Sequence, residues 1–256
     1  MTEYAEGNIN PIRLPTQHIQ IEQTHASGFY GKEEMQDASD VYDEERSTDY
    51  YNMLVDIIGQ TTFFTTPIGR KTRVLEVGCS TGVFTPAILA FFNGTTMKNI
   101  GKEVDYVGLD SFETAVEYAR RNAEIFPEFA ANVRYLIGDA RNLEQLEVNR
   151  PIDVFVSRKP QIAIEDARHR WKADPVWRTI LQVGINNLTE DGIAIISAHL
   201  IEDKKQVENV LKGHILFTGT YREEDPMNEE KYVIVAKKMA IPHPLYTIKK
   251  GRIIKR

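Results

Sequence analysis

In the stretch "TRVLEVGCSTGVFTPAIL", Thr72 to Leu89, a short apolar run is broken by one carboxylate, Glu76. Two glycines follow, Gly78 and Gly82, with only Cys79, Ser80 and Thr81 between them. Glycine lets the backbone adopt positive φ and removes the Cβ that would hold a ligand at a distance. A helix starting just beyond, near Pro86, presents N–H groups that favour an anionic group such as a carboxylate. Two more acids close later apolar runs: Asp110 ends "DYVGLD", and Asp139 follows Gly138 in "VRYLIGDA". A carboxylate at Asp110 can accept from both hydroxyls of a ribose. One at Asp139 can accept from the exocyclic amine of an adenine.

These residues need a scaffold that brings three separate segments to one edge, and the pattern of the chain supplies it. Apolar runs of strand length, 72–77, 105–110, 133–139, 152–157 and 193–197, alternate with helical patterns. The helices are expected from Ser47 to Ile58, from Thr85 to Phe92, along the stripe Phe112, Ala115, Val116, Ala119 and Ala123 with Ser111 as its cap, along Trp177 to Leu188, and near 203–212. Thr189 to Gly192 reads as a turn, and the runs 214–221 and 231–238 read as a hairpin. Strands alternating with helices imply a parallel sheet covered on both faces. The predicted fold is therefore α/β: a doubly wound, mostly parallel seven-stranded sheet with an antiparallel last strand. In such a sheet the ligand crevice lies beyond the carboxyl ends of the strands, where the glycines and the acids converge.

The glycine pattern speaks against a dinucleotide. That turn needs G-x-G-x-x-G against a pyrophosphate, and an acid in the place of Glu76 would repel one. An acid beside an amino-acid ammonium group, directly or through water, would help. The ligand inferred has an adenosine end and an amino-acid end, which describes S-adenosylmethionine.

At these residues the chain resembles the class I, Rossmann-like, S-adenosylmethionine-dependent methyltransferases, over about residues 45 to 240. "VLEVGCSTG" is similar to the family's first motif, usually E/D-x-G-x-G-x-G, with Ser80 in place of the middle glycine. The resemblance implies that Glu76, Gly78, Cys79, Ser80 and Gly82 cradle the cofactor and that Asp110 holds its ribose. It implies Ser111 and Phe112 beside the adenine, with Asp139 and Ala140 at the adenine amine. It places Ser157, at the end of "IDVFVS", facing the methyl group and the acceptor. "VYDEERSTDYYNML" resembles the segment that leads into the family's domain, where an aromatic such as Tyr42 lies over the methionine part.

Methyl transfer from a sulfonium mainly needs the acceptor positioned and water excluded. A base helps only when the acceptor must lose a proton, and the candidates are groups at strand ends: His199, His169 and Arg158. The charged segment 158–172 also carries Trp171; Trp177, further on, reads as core. The place after the fourth strand reads Ser157-Arg158-Lys159-Pro160, not the Asn/Asp-Pro-Pro-aromatic run of enzymes that methylate nucleobase or glutamine amides. The six histidines show no ligand spacing, so no metal is expected. The expected activity is methyl transfer to a small-molecule acceptor. Alternatives are an RNA or protein methyltransferase, motivated by the basic end of the chain, and a non-catalytic cofactor-binding protein.

Composition bounds the remainder. The chain has 256 residues, 42% apolar, and a formal net charge of −6, enough for one sizeable core and against general polyanion affinity. Five of the last eight residues, "KKGRIIKR", are basic. One cysteine excludes an internal disulfide framework. No apolar run reaches the roughly 20 residues of a membrane span. The expected organisation is an N-terminal arm or lid (1–45), the cofactor-binding domain (46–240) and a basic tail (241–256), in a cytoplasmic protein without membrane contact and with its oligomeric state open.

Overall fold

The structure, a computed structural model, describes residues 44–58, 70–93, 104–124, 132–148, 150–158, 174–198, 201–220, 232–238, 246–249 and 252–255. Nearly all of the expected arm lies outside the described residues, as do Tyr42, His169, Trp171 and His199.

Five strands run parallel: β1 (Thr72–Val77), β2 (Val104–Asp110), β3 (Val133–Ile137), β4 (Ile152–Arg158) and β5 (Leu188–Ala198). Helices α1 (Glu44–Ile58), α2 (Thr85–Phe92), α3 (Glu113–Glu124), α4 (Asp174–Asn186) and α5 (Ile201–Val210) accompany them. β6 (Ile215–Thr220) and β7 (Tyr232–Lys237) form the expected hairpin, and β7 lies between β5 and β6, antiparallel to both. The order β3-β2-β1-β4-β5-β7-β6 is the doubly wound, mostly parallel sheet expected from the sequence.

The sheet continues further than the sequence reading took it. The basic end of the chain supplies β8 (Tyr246–Lys249), parallel to β6, and β9 (Arg252–Lys255), antiparallel to β8. Thr189 to Asp191, expected in a turn, are drawn into β5, and the pairing of β5 with β4 shifts register between Ile152 and Val154. Eight of the eleven residues of β5 are buried, and this apolar length carries the strand through its polar start.

Side-chain parity divides the core in two. Val74, Tyr106, Tyr135, Val154, Val156, Ile193 and Ile195 face α1, α2 and α3. Leu75, Val77, Val107, Leu109, Phe155, Ala194 and Ile196 face α4, α5 and the short 3₁₀ turn Ala140–Gln145. Both faces of the parallel strands are thus covered, which explains their near-continuous apolar runs.

At the amino edge of the sheet, Asp153 ties three segments together. Its side chain is 4% exposed. It accepts a bidentate pair from Arg70, with Nη2 at 2.6 Å, the Arg73 N–H at 2.9 Å and the Thr189 hydroxyl at 3.3 Å. Burial pushes its pKa up. The Arg70 hydrogen bonds, the Arg73 N–H and the two positive charges more than offset this and hold it below the usual aspartate value. A depressed pKa stabilises the fold above the unfolded value, about 3.9, and that contribution is lost as pH falls through the folded value. Asp153→Asn should cost about 1–2 kcal/mol at neutral pH, a value discounted for the exposure of Arg70. Urea midpoints of the variant and the wild type at pH 7 and below pH 4 check this. The gap must close in acid.

Candidate cofactor site at the carboxyl edge

β1, β2 and β4 end side by side. Val77 of β1 is the register partner of both Leu109 of β2 and Ser157 of β4. The chain then turns at Gly78, and the turn docks on the end of β2. Gly78 and Cys79 N–H groups donate to the Leu109 carbonyl at 2.8 and 3.3 Å, and Ser80 N–H donates to an Asp110 carboxylate oxygen at 3.0 Å. The other Asp110 oxygen accepts Phe112 N–H at 3.0 Å. The carboxylate of Asp110 therefore takes that N–H at the start of α3, where the sequence pointed to Ser111 as the cap. Burial raises the pKa of Asp110 while the N–H groups of Phe112, Ser80 and Ser111 pull it down; burial dominates. Each carboxylate oxygen still has a lone pair to offer a ligand.

The two glycines serve different ends. Gly78 has φ +73°, and among the described residues a Cβ there would meet only the far edge of the Trp177 indole, at 3.5 Å. Among the described residues nothing else crowds its backbone. Gly82 has the same φ, but a Cβ there would lie 2.6 Å from the Tyr135 hydroxyl. Gly82 makes room for Tyr135 and not for a cofactor. Ser80, where the family's motif has glycine, sits at φ +49°. A non-glycine residue in that region costs about 1–2 kcal/mol, and the N–H bond to Asp110 is what holds it there.

Three expected contacts have surroundings that the sequence did not show. Glu76 does not reach toward an ammonium group. It shares parity with Val74, is 1% exposed and accepts a hydrogen bond from the Tyr106 hydroxyl within the core. The Cys79 thiol is buried under the turn. Burial foremost, then the Glu76 and Asp110 charges, pushes its pKa well up and keeps it protonated. Asp139 is engaged by Arg141, whose backbone N–H and guanidinium both donate to it; these bonds hold the carboxyl below the usual range. An adenine amine would share Asp139 with that arginine.

The remaining positions fall as follows. Ser157 is 0% exposed, and its hydroxyl has no partner among the described residues. Ala140 is buried, Phe112 half-buried and Ser111 exposed. Arg158 does not extend as a base: its guanidinium carbon sits 3.1 Å from the Phe84 ring centroid and 5.3 Å from that of Tyr50. Trp177, read from its helical period as core, packs against the α4-side core and also reaches the glycine turn. Its place in the first turn of the helix after β4 was the available signal.

Residues 68–238 match the family described as a methyltransferase domain. No curated protein sequence matches the chain. Among solved structures, an O-methyltransferase family protein from Burkholderia thailandensis superposes with a TM-score of 0.51 at 11% identity, covering 74% of this chain and 56% of that one. A SAM-dependent O-methyltransferase from Thermotoga maritima gives 0.50 at 13% identity, covering 78% and 66%. An rRNA methylase from Streptococcus thermophilus gives 0.49 at 11% identity, covering 74% and 94%. At these identities the two O-methyltransferase structures bear on the fold alone. The match over residues 68–238, on a sheet of this order with a glycine turn and two strand-end acids at its carboxyl edge, shows that the chain belongs to the S-adenosylmethionine-dependent methyltransferase family.

Proposed function

We propose that the chain methylates a small-molecule acceptor held at the carboxyl ends of β4 and β5. The cofactor would supply a methyl group already activated on a sulfonium, so positioning is the main task left to the protein. The single observation that carries this reading is the join between Asp110 and the glycine turn. One carboxylate fixes Ser80 N–H, holds the bare backbone of Gly78 beside it, and keeps lone pairs for a ribose diol. The residues fit such a cofactor. Asp110 would hold the ribose, Gly78 would let the amino-acid end pass, and Asp139 and Ala140 would border the adenine. Among the described residues no side chain stands out as a general base, which suits transfer by proximity and orientation. His169 and His199 remain proposals on sequence grounds. A cytoplasmic location belongs to the same reading and rests on the single cysteine. No helix among the described residues is long and apolar enough to cross a membrane. Calorimetric titration with S-adenosylmethionine and S-adenosylhomocysteine tests the cofactor, and transfer of labelled methyl to a metabolite panel tests the acceptor. Tight cofactor binding without transfer to any small molecule would count against the acceptor class.

A second reading, RNA as acceptor, has its own observation. β6 runs in the sense of β5, and β8 is parallel to β6, so β8 ends at the carboxyl edge. The end of β8, at Lys249, therefore lies on the cofactor edge. It lies four strand spacings from β4, about 19 Å at ~4.8 Å each. Lys249→Glu with Arg252→Glu should weaken RNA retention and flatten its dependence on log salt by about one to two. Unchanged retention across a salt series would leave small molecules as the acceptor.

A further inference from the structure

α4 follows β4 and leads back to β5, which is parallel to β4. The helix therefore runs against the strands, and its first turn lies at the carboxyl edge. Trp177 stands in that turn. Ile180, Leu181 and Gly184 follow it at i+3, i+4 and i+7 and share its face. Ile180 and Leu181 are buried. Gly184 sets how closely this face lies on the sheet, since a Cβ there would stand 2.5 Å from the Phe155 ring of β4. The same face carries Trp177 about 10 Å nearer the carboxyl edge, at ~1.5 Å per residue.

The indole spans from this helix to the glycine turn. It packs on the α4-side core and is half-buried. Its outermost carbon, Cη2, lies 3.5 Å from the place a Cβ would take at Gly78. Among the described residues no other atom beyond the glycine's chain neighbours comes within 4 Å of that place. A ligand group that passes over Gly78 takes up the space the missing Cβ leaves, and there it meets the indole in van der Waals contact. The benzo edge of an indole carries only C–H groups, because its one polar N–H sits on the other ring. Such an edge suits methylene groups and offers nothing to a charged head.

We infer that Trp177 is a binding residue for the amino-acid end of the cofactor, its benzo edge packing against the methylene chain between the sulfur and the α-carbon. The inference rests on the methyltransferase reading, which brings that end past Gly78. A wall fixed to α4 at this point limits where the chain can run, and through the chain it limits where the sulfur sits. Trp177 thus distinguishes ligands that carry the amino-acid end from those that stop at the sulfur.

The test measures affinities for S-adenosylhomocysteine and for 5′-methylthioadenosine, which keeps the nucleoside and the sulfur but lacks the amino-acid end. Wild type, Trp177→Phe and Trp177→Leu are compared by calorimetry, with circular dichroism confirming the fold of each. Trp177→Leu should bind S-adenosylhomocysteine about threefold to tenfold more weakly, the worth of one or two methylene groups partly returned to water. It should bind methylthioadenosine as the wild type does. Trp177→Phe, with a shorter ring, should fall between leucine and the wild type. A fluorescence titration reads the same contact without altering it. The chain has two tryptophans, Trp171 and Trp177, so in Trp171→Phe all tryptophan emission comes from Trp177. S-adenosylhomocysteine should change that emission, and methylthioadenosine should not. Equal losses for the two ligands, no loss for either, or a Trp177 emission that S-adenosylhomocysteine leaves unmoved overturns the inference, and the indole then only packs α4 on the sheet. A wild type that binds neither ligand defeats the methyltransferase reading itself, and the inference falls with it.

Discussion

Asp110→Ala should bind S-adenosylhomocysteine about 10²- to 10³-fold more weakly than the wild type. The carboxylate offers two charge-assisted hydrogen bonds to a ribose diol, each of order 1.5–3 kcal/mol, and alanine offers none. The same change releases Ser80 N–H, which helps tie the glycine turn to the end of β2, and Phe112 N–H at the start of α3. Asp110→Asn keeps one oxygen for those N–H groups but replaces the other with a donor, so its loss should be smaller, about tenfold. The pH dependence carries the same signature. Burial raises the Asp110 pKa, and the ribose needs the ionised form. Affinity in the wild type should therefore fall on acidification, starting above the ordinary aspartate value of about 3.9, and the fall should be absent in Asp110→Ala. Calorimetry on the three proteins across that range is decisive. A wild-type affinity in Asp110→Ala would move the ribose off this edge.

Much of this edge was legible in the sequence because its chemistry sits where elements change. A strand that stops at Asp110 and a turn opened by Gly78 announce themselves as breaks in an apolar pattern. What lies inside the elements was harder to read. Glu76 was placed by its nearness to Gly78, yet a parallel strand is covered on both faces, and nearness along the chain does not say which face a side chain takes. Its parity with Val74 puts it in the core. The sequence did hold a clue in Tyr106 and Tyr135, two tyrosines within apolar strand runs, because a buried phenol requires a partner. Gly108, in the middle of β2, was a second clue. A Cβ there would stand 2.6 Å from the Tyr135 ring, and a glycine inside a strand marks such an approach. The basic end was read by its charge, although "YTIKKGRIIK" also alternates about a Lys-Gly pair in the manner of a hairpin. For Arg158 the strand pattern indicated the edge but not the posture. The aromatic seat comes from Phe84 and Tyr50, which lie far from Arg158 in the chain.

The largest loss of stability is expected from Tyr106→Phe, at about 2–4 kcal/mol. Tyr106, Thr85, Tyr135 and Glu76 form a directed chain of hydrogen bonds beneath the glycine turn. The Tyr135 hydroxyl donates to the Thr85 hydroxyl at 2.8 Å, Thr85 donates to the Tyr106 hydroxyl at 2.9 Å, and Tyr106 donates to Oε2 of Glu76. All four residues are buried, so each bond is made in a low dielectric and polarises the next. Removing the phenol oxygen deprives a buried carboxylate oxygen of its tyrosine donor, and that penalty exceeds the loss of a neutral bond. The cost should therefore grade along the chain. Tyr135→Phe removes a neutral donor at the far end and should cost about 1 kcal/mol, and Tyr106→Phe, next to the charge, the most. Glu76→Gln should lose less than Tyr106→Phe, since an amide oxygen still accepts from the phenol and no charge stays buried. Combined with Tyr106→Phe it should be clearly less than additive. Urea denaturation of the two single variants and the double variant gives the coupling directly. Because the Tyr135 hydroxyl also fills the space that Gly82 leaves, Tyr135→Phe should loosen the glycine turn and weaken cofactor binding by a few fold, at a stability cost too small to unfold the chain. A strictly additive cycle, or equal losses at Tyr135 and Tyr106, would mean that the chain does not converge on Glu76 and that the three residues only fill space behind the site.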